Sequence, residues 1–326
     1  MALPTYISLP ECVATIGSRI RMIEHIRRNI QELFGVSAAQ AEKFKYQLPC
    51  SNPQSIAAHT FQTWWAHEGT LVCTPKADGV RYSLYFLQIQ EEYFVVAIDR
   101  KYQCTALPLQ LPIALQHWYM ESGTLLDTEL VLDMATGRPY FLVFDVIVLA
   151  GHNMRLKPTA FLERQRLLAA EPLVDIRFPP PFLPMALKAY QLMAWGTPLH
   201  FPPCTYATDG LICFPTQLGI VVGRSASLIR LKKTETLDVA YTMAGTFALH
   251  HAGVLEAISV ERDKLHITNP HHLPLQAHAI YECTVALHPS TGLLEATVML
   301  LRNDKVEPND ITTLHQLQAC LRDPVC

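Results

Sequence analysis

The chain lacks several features that would place it in a broad class at once. Its longest apolar runs, such as 141–150, are far shorter than the roughly 20 residues that a membrane span needs. The N-terminus lacks a charged and then apolar secretion signal. The nine cysteines include no Cys-x-x-Cys pair, which argues against a disulfide framework and a zinc ribbon. We therefore expect a soluble intracellular protein, in the cytoplasm or nucleus, that is not secreted, has no membrane contact, and keeps its cysteines reduced and mostly buried.

An excess of positive charge is also missing. The formal net charge of −3 argues against a broad phosphate-binding surface, so any RNA contact is expected to be confined to one groove. The histidine pairs His250-His251 and His271-His272 lack ligand spacing with cysteines and are assigned no chemistry. What is present is size: 326 residues, half of them apolar, are enough for two packed domains.

The pattern of apolar residues predicts a mixed α/β chain. Helical spacing predicts helices over 14–34, 156–170 and near 185–193. Strand patterns predict strands over 82–89, 93–98, 124–132 and 140–148, and then over 241–249, 254–260, 279–287 and 293–301. The second group of strands favours a small barrel, closed by a helix over 310–321 that is capped by Asn309 or Asp310. We place the domains at 1–237 and 238–326.

The most informative motif is the run from Lys76 to Arg81, Lys-Ala-Asp-Gly-Val-Arg. A lysine amine becomes a nucleophile only after losing its proton, so a site that uses one must lower its pKa by burial or by nearby positive charge. Asp78-Gly79 favours a tight turn that would hold Lys76 and Arg81 at one pocket wall, with Arg81 free to bond a ribose or phosphate. Taken alone, so short a motif is more typical of a surface hairpin.

Further segments follow the lysine in a definite order. They are Ala97–Arg100, Leu126–Val131, Tyr140–Val146, Thr208–Ile212, Leu228–Lys232 and Arg302–Asn309, and Leu48–Ser55 precedes it. This series resembles the covalent nucleotidyltransferase superfamily and, within it, the mRNA capping enzymes (GTP:RNA guanylyltransferases) more closely than the polynucleotide ligases. Pro75 stands where ligases usually have glutamate. Arg302, Asp304, Lys305, Pro308 and Asn309 match a run in the C-terminal domain of capping enzymes.

The resemblance implies an α/β (α+β) fold in which a nucleotidyltransferase domain with antiparallel sheets and helices precedes a C-terminal OB-fold β-barrel domain. It implies that Lys76 attacks the α-phosphate of GTP, releases pyrophosphate, and passes GMP to the 5′-diphosphate end of RNA to make the GpppN cap. A divalent cation, Mg²⁺ or Mn²⁺, would assist. Separate proteins would supply the RNA triphosphatase and the cap methyltransferase, because the chain looks too short to include them. We expect a monomer.

The resemblance also assigns roles to residues near the base and ribose. Arg81 and Glu129 would bond the ribose, and Phe144 would stack on the guanine. Asp145 would bond nearby polar groups or a metal-bound water, and Asp209 would help to hold the divalent cation. Without the surrounding motifs, Glu129 reads as an ordinary strand-end carboxylate, Phe144 as a core residue, and Asp209 as part of a turn.

The phosphates would be bound by residues further along the chain. Arg230 and Lys232, two apart on a predicted strand, share one face and would bind the α-phosphate. Arg302, Asp304 and Lys305 would reach the β- and γ-phosphates when the OB domain closes.

Several positions depart from the family pattern. Cys50 and Thr128 stand where glycine is usual, Arg230 replaces a lysine, and Ala296 and Leu300 occupy positions where tryptophan and arginine are common. Two alternatives stay open: an ATP-dependent RNA or DNA ligase of the same superfamily, and a non-catalytic nucleotide- or cap-binding protein that kept the fold. Retention of Lys76 with Lys232 speaks against the second. The residues alone do not decide between guanine and adenine.

Overall fold

A computed structural model describes residues 20–33, 50–56, 58–89, 91–100, 102–107, 116–155, 159–171, 184–198, 201, 203–232, 234–303 and 305–322. The chain divides into two compact units. Of the described residues, the first unit contains those from Ile20 to Gln54 and from Thr70 to Ile229, and the second contains those from Ser55 to Gly69 and from Arg230 to Arg322. The predicted boundary between 237 and 238 falls inside a strand of the second unit.

Helices are few among the described residues. They are α1 (Ile20–Leu33), α2 (Ala58–Glu68), α3 (Phe161–Ala170), α4 (Val260–Asp263) and α5 (Ile311–Arg322), with a π-helical turn at His117–Glu121. Positions 14–19, 34 and 156–158 of the predicted helices lie outside the described residues. The Asp310 carboxylate accepts the Thr312 N–H at 2.9 Å, so Asp310 caps α5 as predicted. None of the described helices is long and apolar enough to cross a membrane.

Two sheets build the first unit. One contains β3 (Val80–Ile89), β4 (Glu92–Ile98), β5 (Cys104–Leu107), β6 (Thr124–Leu132), β7 (Pro139–Leu149), β8 (His152–Asn153) and β9 (Met185–Leu187). The other contains β1 (Ser51–Gln54), β2 (Thr70–Ala77), β10 (Gln191–Ala194), β11 (Thr208–Pro215) and β12 (Gly223–Lys232), in the order β1-β12-β11-β2-β10. The last residues of β12, from Arg230, belong to the second unit.

The helix predicted near 185–193 is wrong. Its residues form β9, which pairs in parallel with β7, and β10, which pairs antiparallel with β2. Hydrogen bonds to strands more than 40 residues away in the chain therefore override a local helical pattern, as tertiary context often does.

A third sheet dominates the second unit. It contains β13 (Glu235–Tyr241), β14 (Phe247–His251), β15 (Val254–Ala257), β16 (Leu265–Thr268), β17 (Ile280–Leu287) and β18 (Leu294–Leu301), in the order β15-β14-β13-β17-β18-β16. The strand predicted over 241–249 is wrong, because a turn separates β13 from β14 and Gly245 there has φ of 75°. The strand predicted over 254–260 ends at Ala257, and Val260 begins α4. The mixed α/β class and the large share of residues in strands are as predicted.

Apolar side chains cover both faces of the sheet around β3. One face carries Leu84 and Phe86 and packs with Leu168 of α3. The other carries Tyr85 and Leu87 and packs with Ile26 and Ile30 of α1.

The described cysteines are free and mostly buried, as predicted. Every cysteine among the described residues is free of disulfides, and all but Cys204 are buried. Burial raises the pKa of the Cys50 thiol to about 12, which keeps it protonated and inert.

Candidate active site

Lys76 and Asp209 are brought together by an irregularity in strand pairing. Ala77 pairs with Thr208 and Pro75 pairs with Leu211, so two residues, Asp209 and Gly210, stand opposite Lys76 alone. This is the geometry of a β-bulge, and Gly210 has φ of 142°, which suits glycine. The bulge directs the Asp209 carboxylate at Lys76, whose Nζ donates to Asp209 Oδ1 at 2.7 Å. Both side chains remain partly exposed, so the pair is open to a ligand.

The predicted turn at Asp78-Gly79 is a bend that joins two strands of different sheets, and its glycine is required by space. A Cβ on Gly79 would lie 2.4 Å from the Leu130 carbonyl oxygen and 2.9 Å from the Glu129 side chain. The Asp78 N–H donates to the Ala207 carbonyl at 2.9 Å. The turn therefore packs directly on β6 and joins β2, which carries Lys76, to β3, which carries Arg81.

Arg81 is held by the protein on several sides and is not the free ribose ligand that the motif suggested. Its Nε and Nη2 donate to the two oxygens of Asp127 at 2.9 and 2.5 Å. Its Nη1 donates to Asn52 Oδ1 and its Nη2 to the Ser51 carbonyl, both at 2.9 Å. Burial favours the neutral guanidine, but the charge of Asp127 outweighs this and raises the pKa of Arg81. Arg81 thus anchors β1 to β3 in a buried, bidentate ion pair.

Glu129 and Thr128 lie next to one another on β6. Glu129 is half buried and pairs in register with Arg81 across β3 and β6. Thr128 replaces the glycine of the family pattern without strain: its hydroxyl donates to the Tyr82 carbonyl at 2.9 Å, and the residue is fully buried. A positive φ is not needed at this position, so a side chain is tolerated.

Phe144 carries two cations at its ring. The Arg81 guanidinium carbon lies 5.2 Å from the ring centroid, and the Lys188 Nζ lies 5.5 Å from it. Lys188 follows β9 and is almost fully buried. Burial lowers its pKa to about 8; the carboxylate of Glu129 opposes this effect, and the charges of Lys76 and Arg81 add to it. The charges of Lys76, Arg81 and Glu129 therefore all act on Lys188, which lies with Arg81 at the Phe144 ring.

Asp145 forms an ion pair with Arg164, a residue to which the sequence analysis assigned no role. Arg164 of α3 donates from Nε to Asp145 Oδ1 at 2.8 Å and from Nη2 to Oδ2 at 2.7 Å. Its Nη1 donates to the carbonyls of Thr159 at 2.6 Å and Leu218 at 2.8 Å. The carboxylate predicted to bond polar groups near the nucleotide is thus half of a structural ion pair.

The remaining predicted site residues that the structure describes, Arg230, Lys232, Arg302 and Lys305, belong to the second unit. Arg230 Nε donates to Ser55 Oγ at 2.9 Å, and Ser55 Oγ donates to the buried Glu235 at 3.3 Å. Lys232 Nζ donates to Thr236 Oγ1 at 3.1 Å. Asp304 lies outside the described residues.

Arg302 and Lys305 meet at one carboxylate. Arg302 pairs with Asp238 at 3.1 Å and also with Glu282, while Lys305 pairs with Asp238 at 3.2 Å. Asn309 joins the same group, because its side-chain oxygen accepts the Asp238 N–H at 2.8 Å. The run matched at the C-terminal end of the sequence is therefore a cluster in space, organised by Asp238. Ala296 of β18 lies in the core of this unit.

Three functional or supporting residues escaped the sequence interpretation: Asp127, Arg164 and Lys188. Asp127 lies in the segment Leu126–Val131, two residues before Glu129. This spacing places both carboxylates on one face of a strand and could have identified both as site residues. No local pattern marks Lys188 or Arg164, since each gains its place from pairing and packing with distant segments. Among the described residues, no group of three or more histidine, cysteine or acidic side chains is arranged to hold a metal ion.

Structural comparison finds distant likenesses to ligases. A structure named "Pmar-Lig_Pre." is 12% identical with a TM-score of 0.39, over 83% of this chain and 73% of that one. A structure from a study of Lig E DNA ligases is 14% identical with a TM-score of 0.33, over 78% and 98%. The ATP-dependent DNA ligase of bacteriophage T7 with ATP is 11% identical with a TM-score of 0.41, over 78% and 98%. These likenesses are too distant to bear on substrate or mechanism.

A family match is more informative. The family model described as mRNA capping enzyme, catalytic domain, matches residues 13–179, about half of the chain. The matched range contains Lys76, Arg81, Glu129 and Phe144, which the structure gathers in one site. The chain belongs to the mRNA capping enzyme catalytic-domain family of nucleotidyltransferases.

Proposed function

We propose that the protein is an mRNA guanylyltransferase that forms a covalent lysyl-GMP intermediate from GTP and transfers GMP to the 5′-diphosphate end of RNA. The observation that carries this proposal is the position of Lys188, whose ammonium can donate hydrogen bonds but cannot accept them. Its Nζ lies at the Phe144 ring, and the charge of Lys76 acts on it. One unit thus contains a candidate nucleophile (Lys76), an aromatic ring on which a base could stack (Phe144) and a hydrogen-bond donor for the base (Lys188).

Lys76 is the proposed nucleophile. Its neutral amine attacks the α-phosphorus of GTP; the N–P bond forms, the α–β P–O bond breaks, and pyrophosphate leaves with the bonding electrons. Asp209 Oδ1, at 2.7 Å, is the base within reach of the amine proton. In the second step an oxygen of the RNA β-phosphate attacks the same phosphorus, the N–P bond breaks, and Lys76 regains a proton.

Lys188 favours guanine over adenine. A lysine ammonium has three hydrogen-bond donors and no acceptor. Guanine presents two acceptors, O6 and N7, along one edge, whereas adenine presents an N6 amino donor beside N7. Lys188 is a donor at the ring on which the base is proposed to stack. It can donate to O6 and N7 of guanine, whereas the N6 amino group of adenine would oppose one donor with another.

A divalent cation, Mg²⁺ or Mn²⁺, fits the site as a partner of the substrate. Mg²⁺ commonly uses one or two carboxylates together with substrate phosphates and water, and it does not require a cluster of protein ligands. Asp209, partly exposed beside Lys76, is the residue that would hold it. When bound, the cation would offset the negative charge of the phosphates.

The remaining parts of the proposal follow from the family. Arg230, Lys232, Arg302, Asp304 and Lys305 would contact phosphates, in a second domain with an OB fold that closes over the nucleotide. The protein would act as a monomer inside the cell, and separate proteins would supply the RNA triphosphatase and the cap methyltransferase.

Labelling with α-phosphate-labelled nucleotides tests the proposal directly. With a divalent cation, GTP should leave a label on the denatured protein that is acid-labile and alkali-stable, as expected of a phosphoramidate, and ATP should leave little. Labelling by ATP in preference to GTP would identify a ligase. No labelling by any nucleotide, with GTP binding retained, would identify a nucleotide-binding protein.

The preference for guanine should weaken in alkaline solution. Because the pKa of Lys188 is lowered to about 8, its charged form is lost as the pH rises through that value. The neutral amine donates more weakly than the ammonium, so the affinity for GTP should fall above about pH 8, whereas that for ATP, which offers only N7 as an acceptor on this edge, should change less. Equilibrium binding of both nucleotides between pH 6.5 and 9.5 measures this. In Lys188→Met the two profiles should run parallel, and a wild-type GTP profile with no inflection near pH 8 would contradict the assignment.

A further inference from the structure

Phe144 occupies an irregular position in its strand. Asp127 pairs with Asp145 and Thr128 pairs with Val143, so Phe144 is an extra residue between two consecutive pairs of β6 and β7. Such a bulge removes one residue from regular pairing and redirects its side chain. The Phe144 ring accordingly meets Arg81 and Lys188, whereas its neighbours Val143 and Val146 are buried in the core.

The backbone of the bulge is held by side chains from outside the sheet. The Phe144 carbonyl oxygen accepts two hydrogen bonds, from Tyr190 Oη at 2.7 Å and from Gln165 Nε2 at 2.9 Å. The next residue, Asp145, is held by the bidentate pair with Arg164. Arg164, Gln165 and Tyr190 together form what we call the bulge clamp.

The side chains of the bulge clamp are themselves fixed by burial, hydrogen bonds and ring packing. Arg164 has no exposed surface, and its further bonds to two backbone carbonyls fix its position. The Tyr190 ring packs edge-on against Phe161 at 4.9 Å and contacts Phe214 at 6.1 Å. Side chains locked by packing and hydrogen bonds can hold a neighbouring group within the small tolerance that a binding site needs.

We infer that Arg164, Gln165 and Tyr190 are positioning residues that set the orientation of the Phe144 ring and, through it, the affinity for the nucleotide base. This inference rests on the proposed function, in which a base stacks on Phe144. None of the three residues needs to touch the nucleotide. Their influence is exerted through the carbonyl of Phe144 and the carboxylate of Asp145.

Tyr190→Phe is the cleanest test, because it removes one donor to the Phe144 carbonyl and keeps the aromatic packing. We expect the KM for GTP in adduct formation to rise roughly threefold to tenfold, the usual effect of one lost hydrogen bond, with a maximal rate close to that of wild type. Tyr93→Phe is the matched control, since the Tyr93 hydroxyl donates to Glu121 at an exposed site. The control should leave KM unchanged.

A double-mutant cycle separates positioning from general structural support. In a Phe144→Ala background Tyr190→Phe should cause no further rise in KM, because the group on which it acts is gone. Additive effects in the double mutant, or an unchanged KM in the single mutant, would overturn the inference while wild-type labelling by GTP still upheld the proposed function. Absence of any covalent labelling of wild type would instead remove the proposed function on which the inference rests.

Discussion

Lys76→Ala is expected to abolish covalent attachment of GMP, with a loss of roughly four orders of magnitude or more in the rate of labelling. The substitution removes the atom that forms the bond to phosphorus. Lys76→Arg should be equally inactive, because a guanidinium keeps its proton at any accessible pH. Labelling with α-labelled GTP followed by denaturing electrophoresis measures the loss, and peptide mapping of the wild-type adduct should find the GMP on Lys76.

Lys188 provides the matched control for that experiment. It is the other lysine of the site, and burial lowers its pKa to about 8, so it is also able to lose its proton. Lys188→Ala should still be labelled at saturating GTP, although at a higher KM. If Lys188→Ala abolished labelling and Lys76→Ala did not, Lys188 would be the nucleophile and the assignment of the two lysines would have to be exchanged.

Asp127→Ala should destabilise the protein strongly, by about 3–5 kcal/mol, because it leaves the guanidinium of Arg81 buried without its counter-charge. Both side chains are more than nine-tenths buried, so water cannot replace the lost carboxylate. Urea unfolding followed by circular dichroism measures the change in free energy. Asp127→Asn, which keeps the shape and one acceptor, should lose less and serves as the measurable variant if Asp127→Ala does not fold.

The pair Arg166–Glu163 on α3 is the control. It is also a bidentate arginine–carboxylate pair, but both of its side chains are exposed. Glu163→Ala should therefore change the unfolding free energy little, since exposed pairs contribute weakly. An Asp127→Ala protein no less stable than Glu163→Ala would show that Arg81 finds water or another partner, and that the ion pair is not what holds β1 to β3.

Local chemistry explains which features could be predicted. The turn at Asp78-Gly79 follows from residue type, and the strand predicted over 124–132 matches β6 at both ends. The cap at Asp310 likewise depends on a side chain and its own neighbours. Such features need no knowledge of the rest of the chain.

The features that were missed depend on distant segments. Residues 185–193 have a helical pattern, but β7 and β2 recruit them as strands, and Lys188 reaches Phe144 only through that pairing. Arg81 was expected to be free for a ribose, and a single sequence gives no sign that Asp127 and Asn52 would take up its donors. A motif identifies the residue types at a site, while the contacts between them are set by the fold.

The two bulges make the length of the chain as important as its composition. The extra residue of each bulge has no partner of its own, so deleting one residue at Phe144 or at Asp209-Gly210 would leave the flanking pairs in place and convert the bulge to regular pairing. The Phe144 ring would then be lost, or the Asp209 carboxylate would no longer be directed at Lys76. Insertions and deletions in homologues should therefore accumulate in the connections and be excluded from these two short stretches, even where the amino acids themselves vary. A count of residues between strand landmarks would then locate the site in a relative whose sequence has otherwise diverged beyond recognition.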